Sequence, residues 1–165
     1  MKKLSILSCA MIALASFMAT TTVRAQNPHF VGTVTATLTR NNDVQVCWKE
    51  AGLGSNVSIT YDATANATAT FVCANGGGNC PNAANKTTVN GPVSATGTFS
   101  SGKNGSISQC LTFTPPGAGT FSCPSGQKLT LSEVSYTNIT ITDTTNSIAV
   151  VATPSALSAT PFTCP

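Results

Sequence analysis

The chain has 165 residues, of which only 8% are charged, and a formal net charge of +3. Three of its eight basic residues, Lys2, Lys3 and Arg24, lie in the first 25 positions. The remainder carries five bases (Arg40, Lys49, Lys86, Lys103, Lys128) against five acids (Asp43, Glu50, Asp62, Glu133, Asp143). That balance excludes a basic face for nucleic acid and a polybasic patch for an anionic membrane.

Lys2 and Lys3 precede a mainly apolar stretch from Leu4 to Ala19, and Val23-Arg24-Ala25 ends the segment. This is the layout of a secretory signal, with cleavage expected after Ala25. The apolar run is shorter than the ~20 residues a membrane helix needs, so no integral membrane segment is expected once the signal is removed. A lipoprotein signal ending at Cys9 is the alternative, and it would leave too short an apolar core. The domain is then expected at 26–165, a normal size for one unit.

Without Cys9, six cysteines remain: Cys47, Cys73, Cys80, Cys110, Cys123 and Cys164. An even count in an exported chain reads as three disulfides, in any of about 15 pairings. Zinc does not fit, because there is no C-x-x-C pair and the single histidine is His29. No metal and no cofactor are expected.

From Thr33 onward the chain alternates with period two. Val34, Ala36 and Leu38 alternate with Thr33, Thr35, Thr37 and Thr39; Asn41-Asn42-Asp43 is turn chemistry; Val44, Val46 and Trp48 resume. A hairpin is expected there. Val57, Ile59, Tyr61, Ala63, Ala65, Ala67, Ala69, Phe71 and Cys73 share one face of a run far longer than a usual strand, so one bent strand or two joined near Ala63 to Ala67 is expected. Ala74 to Lys86 is a loop around Gly76, Gly77 and Gly78. Val93, Ala95 and Phe99 lie on a strand turned by Asn104-Gly105, and Ile107, Leu111 and Phe113 return. Leu129-Leu131, Val134-Tyr136 and Ile139-Ile141 change phase twice, which predicts bulges. Ser147 to Ala152 is a last strand, and the tail from Pro154 is loop-like unless Cys164 ties it down.

No helical stripe occurs after the signal. The expected fold is all-β, an antiparallel immunoglobulin-like sandwich, with a closed barrel as the alternative. Cys47 and Cys110 each sit opposite their apolar neighbours and could meet on one sheet. Cys73 at a strand end could join Cys123 in a Pro/Gly-rich connection, which leaves Cys80 for Cys164.

The phrases Lys49-Glu50-Ala51-Gly52-Leu53-Gly54, Cys73-Ala74-Asn75-Gly76-Gly77-Gly78, Gly91 to Phe99 and Phe121-Ser122-Cys123-Pro124-Ser125-Gly126-Gln127 together resemble a group of small secreted β-rich proteins of bacteria and fungi, of uncharacterised function. The resemblance runs from about Phe30 to Asn146 and rests on loop and turn phrases. It implies a secreted β domain and transfers no active site.

Catalytic chemistry finds little support. A serine nucleophile needs a base, and His29 stands near the start of the mature chain; no G-x-S-x-G elbow is present. Glu50 and Glu133 are the only glutamates, and strand-end charges facing water are the expected reading over a glycosidase pair. Asp143-Thr144-Thr145-Asn146 reads as a turn rather than a calcium loop. Gly76 to Gly78 lacks the ending of a phosphate loop. The threonine ladder from Thr33 to Thr39 has the spacing of an ice-binding face, but also of any solvent-facing strand. Five sequons (Asn56, Asn66, Asn85, Asn104, Asn138) are near what so Ser/Thr-rich a chain yields by chance.

The expected protein is therefore a non-catalytic structural or interaction module, extracellular or at the cell surface, with the periplasm as the alternative compartment. Its expected partners are copies of itself, or surface glycans and proteins. The alternative is a carbohydrate-binding module using Trp48 and Tyr136, although both also suit a core.

Overall fold

The structure, a computed structural model, describes residues 27–80 and 85–165. The expected signal at 1–25, with Cys9, lies outside the described residues, as does Pro81. Among the described residues there are strands and turns and no helix.

The strands form two antiparallel sheets. In the first, β3 (Val44–Ala51) is central: β6 (Ile107–Phe113) pairs with it on one side, and β2 (Thr35–Leu38) and β1 (His29–Phe30) lie end to end on the other. The second runs β5 (Lys86–Ser100), β4 (Ser58–Ala74), β7 (Lys128–Asp143), β8 (Ile148–Val151), with β9 (Leu157–Ala159) also pairing β7. The outer edges of β5 and β6 do not pair with one another, so the alternative of a closed barrel is not realised.

Period-two patterning explains why these residues make two facing sheets. On β4 the buried residues Ile59, Tyr61, Ala63, Ala65, Ala67 and Ala69 alternate with Ser58, Thr60, Asp62, Thr64, Asn66 and Thr68. On β3, Val44, Val46 and Trp48 do the same. These inward faces meet Val134, Tyr136, Ile139 and Ile141 of β7 in one core. Trp48 packs on Tyr61 with ring centroids 4.7 Å apart and on Phe99 at 5.9 Å. At Gly97 a Cβ would stand 3.0 Å from Leu111 and from the Phe99 ring, so the bare backbone makes room for that ring.

β4 is one continuous strand of 17 residues rather than two. Its length is supported from both sides, since β5 pairs with it from Ser58 to Val72 and β7 from Tyr61 to Ala74. The phase changes of β7 are two register shifts against β4. One extra β7 residue falls opposite Ala65, where Asn138 has φ +56°, and another is Ser132, between the partners of Thr70 and Phe71. Each bulge turns the next apolar pair inward again. Toward its C-terminal end β4 buries its other face too, at Thr70, Val72 and Ala74, near the C-terminal segment that follows β9.

Candidate functional site

The cysteines are joined as Cys47–Cys110, Cys73–Cys123 and Cys80–Cys164, with Cα–Cα distances of 4.1, 5.5 and 5.6 Å. Cys47 and Cys110 are direct register partners on β3 and β6, on the solvent side of their sheet. Cys73 ends the inward row of β4, and the Cys80–Cys164 bond anchors the C-terminal segment. Three such bonds fit an oxidising, extracellular-type environment. No helix among the described residues is long and apolar enough to cross a membrane.

The two aromatic residues expected to meet a ligand do not face solvent. Trp48 is 3% exposed and Tyr136 0%. Their rings fill the space between the sheets because both fall in phase with the apolar row of their strand. The Tyr136 hydroxyl donates to the Asn42 carbonyl at 2.7 Å, tying the β2–β3 turn to the opposite sheet. Burial pushes its titration far above the ordinary tyrosine range. A sugar site at these side chains is therefore corrected to a core role.

The reading of the glutamates as strand-end charges facing water fails for Glu50. Glu50 and Asp143 are both 0% exposed. Glu50 follows Trp48 on the inward face of β3. Asp143 ends β7 directly across from Tyr61 on β4. The partner of Glu50 is thus Asp143, not Glu133, which is exposed on the outer face. Asp143 keeps its turn role: Oδ1 accepts from the N–H groups of Thr145 (2.8 Å) and Asn146 (2.9 Å), and Oδ2 from the Asn146 amide (2.6 Å).

Around Glu50 the polar atoms are not matched. Trp48 Nε1, both Glu50 oxygens and the Tyr61 hydroxyl are buried without a hydrogen-bond partner. Tyr61 and Asp143 are the polar side chains beside Glu50. Burial, chiefly, raises the Glu50 carboxyl to about 7; the Tyr61 hydroxyl lowers it and the Asp143 charge raises it again. Burial and the neighbouring Glu50 hold Tyr61 protonated, far above its usual range. Closed off from solvent on every side, this pair offers no surface to a substrate.

The solvent-facing side of the second sheet is different in kind. Strand register aligns Ser94, Thr64 and Thr140 with Val151 in one row, Thr96, Asp62 and Thr142 with Ala149 in the next, and Asn90, Thr68, Ser135 and Ser158 in another. Neighbouring hydroxyls bond across strands, Thr60 to Thr98 at 2.9 Å and Thr70 to Thr88 at 3.1 Å, while Thr96 donates to Asp62 at 3.1 Å. Asp62 is the one charged side chain in the three rows, and Glu133, opposite Thr70, lies on the same face at its covered end. Within a row, neighbouring strands lie ~4.8 Å apart. The ladder expected from Thr33 to Thr39 shrinks to Thr35 and Thr37 on the four-residue β2. The long hydroxyl rows are on β5, β4 and β7 instead, and alternation alone does not show which strands stand side by side.

One end of this face is covered by the C-terminal segment. Beneath it lies an open cavity of about 390 Å³, with Val72 and Phe162 as apolar walls and Lys86 and Glu133 at its sides. No cluster of three metal-ligating side chains exists among the described residues. Compared with family models, curated proteins and solved structures, the chain matches none.

Proposed function

We propose that this chain is an exported, non-catalytic structural or interaction module of the cell surface or extracellular matrix. In this reading it works through the outer face of its five-stranded sheet. The observation that carries the reading is the set of three aligned Ser/Thr/Asn rows on β5, β4 and β7, with Asp62 as their one charge and with Glu133 and Lys86 at the end covered by the C-terminal segment. Hydroxyl and amide groups there can bond to a neutral, hydroxyl-rich polymer without removing a charge from water. The outer edge of β5, 15 residues long, offers free backbone groups for strand addition, with Pro92 removing one donor midway. The strand from Val57 to Cys73 offers no such edge, because β4 is paired on both sides.

The connectivity supports an immunoglobulin-like classification within this proposal: β3 pairs β6 in one sheet, β4 and β7 are the central pair of the other, and β8 follows β7 at the far edge. Two features depart from the antibody pattern. The Cys47–Cys110 bond lies within a sheet, and Tyr136 caps a distant hairpin.

A carbohydrate-binding module is the second reading, favoured by the same rows and no longer by Trp48 or Tyr136. A glycan array combined with analytical ultracentrifugation of the mature protein separates the two. Assembly or retention on cell-envelope material without a soluble-glycan hit supports the structural reading; a monomer with one defined sugar ligand supports the other.

A further inference from the structure

Glu50 and Asp143 come from different sheets and meet at one closed end of the sandwich, and their surroundings are unequal. Asp143 accepts three hydrogen bonds within its own turn, an environment suited to a carboxylate. Glu50 accepts none, although both its oxygens are buried. The groups that face it are the Tyr61 hydroxyl from β4 and Asp143 from β7; Trp48 lies beside it on β3, and a charge on His29 of β1, exposed on the other face of the sheet, would favour the anion. An anion in that position has lost its water, has only the Tyr61 hydroxyl set against that loss, and adds to a carboxylate already there. A neutral carboxylic acid has neither difficulty and brings an O–H to donate.

A separate observation points the same way. After residue 25 the chain has only five acids, and Glu50 and Asp143 are two of them. Ordinary domains carry about a quarter of their residues as charges. Acid unfolding proceeds chiefly through carboxylates that are bound as anions in the native state. A chain with so few of them has little to lose on acidification.

We propose that Glu50, as a carboxylic acid donating to the Asp143 carboxylate, closes this end of the sandwich, so that the protein is fully shut in acidic surroundings and loosens when Glu50 ionises. The parts that loosen are the turns that follow Glu50 and Asp143 in the chain. They are now joined by Leu53 N–H to Gly105 O (3.0 Å), Asn56 N–H to Gly102 O (2.7 Å) and Thr144 N–H to Thr60 O (2.9 Å). Burial raises the carboxyl to about 7, so the folded form holds the proton more tightly than the unfolded chain does. The closing contribution is complete below the ordinary glutamate range and disappears as pH rises through about 7.

The test is a carbon-detected NMR titration of the Glu50 carboxyl in the disulfide-bonded protein, with native-state hydrogen exchange at Leu53, Asn56 and Thr144. The expected result is Glu50 titrating near neutrality. Opening of the three amides, corrected for intrinsic exchange, should rise by up to about tenfold per pH unit above that point. Glu50→Gln should abolish the rise. His29→Gln, which removes the chain's one imidazole, is the control and should preserve it. Titration of Glu50 in the ordinary carboxylate range, pH-independent opening, or loss of the rise in His29→Gln would overturn the proposal. Should Glu50→Gln not fold, the wild-type titration decides alone.

Discussion

The hydroxyl of Tyr136, on β7, donates a 2.7 Å hydrogen bond to the carbonyl of Asn42, in the turn between β2 and β3 of the opposite sheet. The ring is fully buried, and it tilts against Phe113 with centroids 6.0 Å apart. Tyr136→Phe keeps the ring and removes the donor, leaving the Asn42 carbonyl short of a partner. The expected loss is about 1–2 kcal/mol in urea unfolding with an unchanged m-value.

The three disulfides are expected to differ in what they hold. Cys47–Cys110 links the central strand β3 to β6 across 63 residues of sequence, so Cys47→Ala with Cys110→Ala should lower stability by about 2–4 kcal/mol. Cys80–Cys164 anchors only the end of the chain. Removing it should free the segment after Ala159, detected as early proteolytic cleavage there, while the core unfolding midpoint moves little.

Much of this architecture can be read directly from the sequence, because alternation reports the inward face of each strand. It placed Trp48 with Val44 and Val46, and the two phase changes in β7 marked both bulges. Glu50 and Asp143 obey the same parity, in phase with Trp48 and with Ile141. Residue type, which argues for solvent, hid their burial. No local signal states that β3 and β7 bring those two positions to the same end. Likewise, period two does not say whether a strand is central or at an edge: the run from Val57 to Cys73 is central, and β5 is the free one. Sheet order depends on long-range pairing, so the hydroxyl face emerges only when β5, β4 and β7 are seen in register.

Global stability should follow the Glu50 carboxyl. Its shift from 4.5 to about 7 on folding corresponds to roughly 3 kcal/mol at most, present below the lower value and lost as pH rises through the upper one. Urea midpoints measured between about pH 4 and pH 8 should therefore fall with increasing pH. Glu50→Gln should flatten that part of the curve. A midpoint that climbs toward pH 8 would contradict the assignment.

The proposed role of the outer face is tested most directly by cosedimentation. Purified mature protein would be mixed with the insoluble envelope and matrix fraction of the producing cell. It would be compared with a variant carrying Thr64→Lys, Ser94→Lys and Thr140→Lys, which charges the central row without touching the core. Equal unfolding midpoints would establish that both proteins are folded. The account predicts that the native chain pellets with the fraction at physiological salt and that the variant remains in solution. Equal pelleting of the two, or a native chain that stays a free monomer in the supernatant, would contradict it.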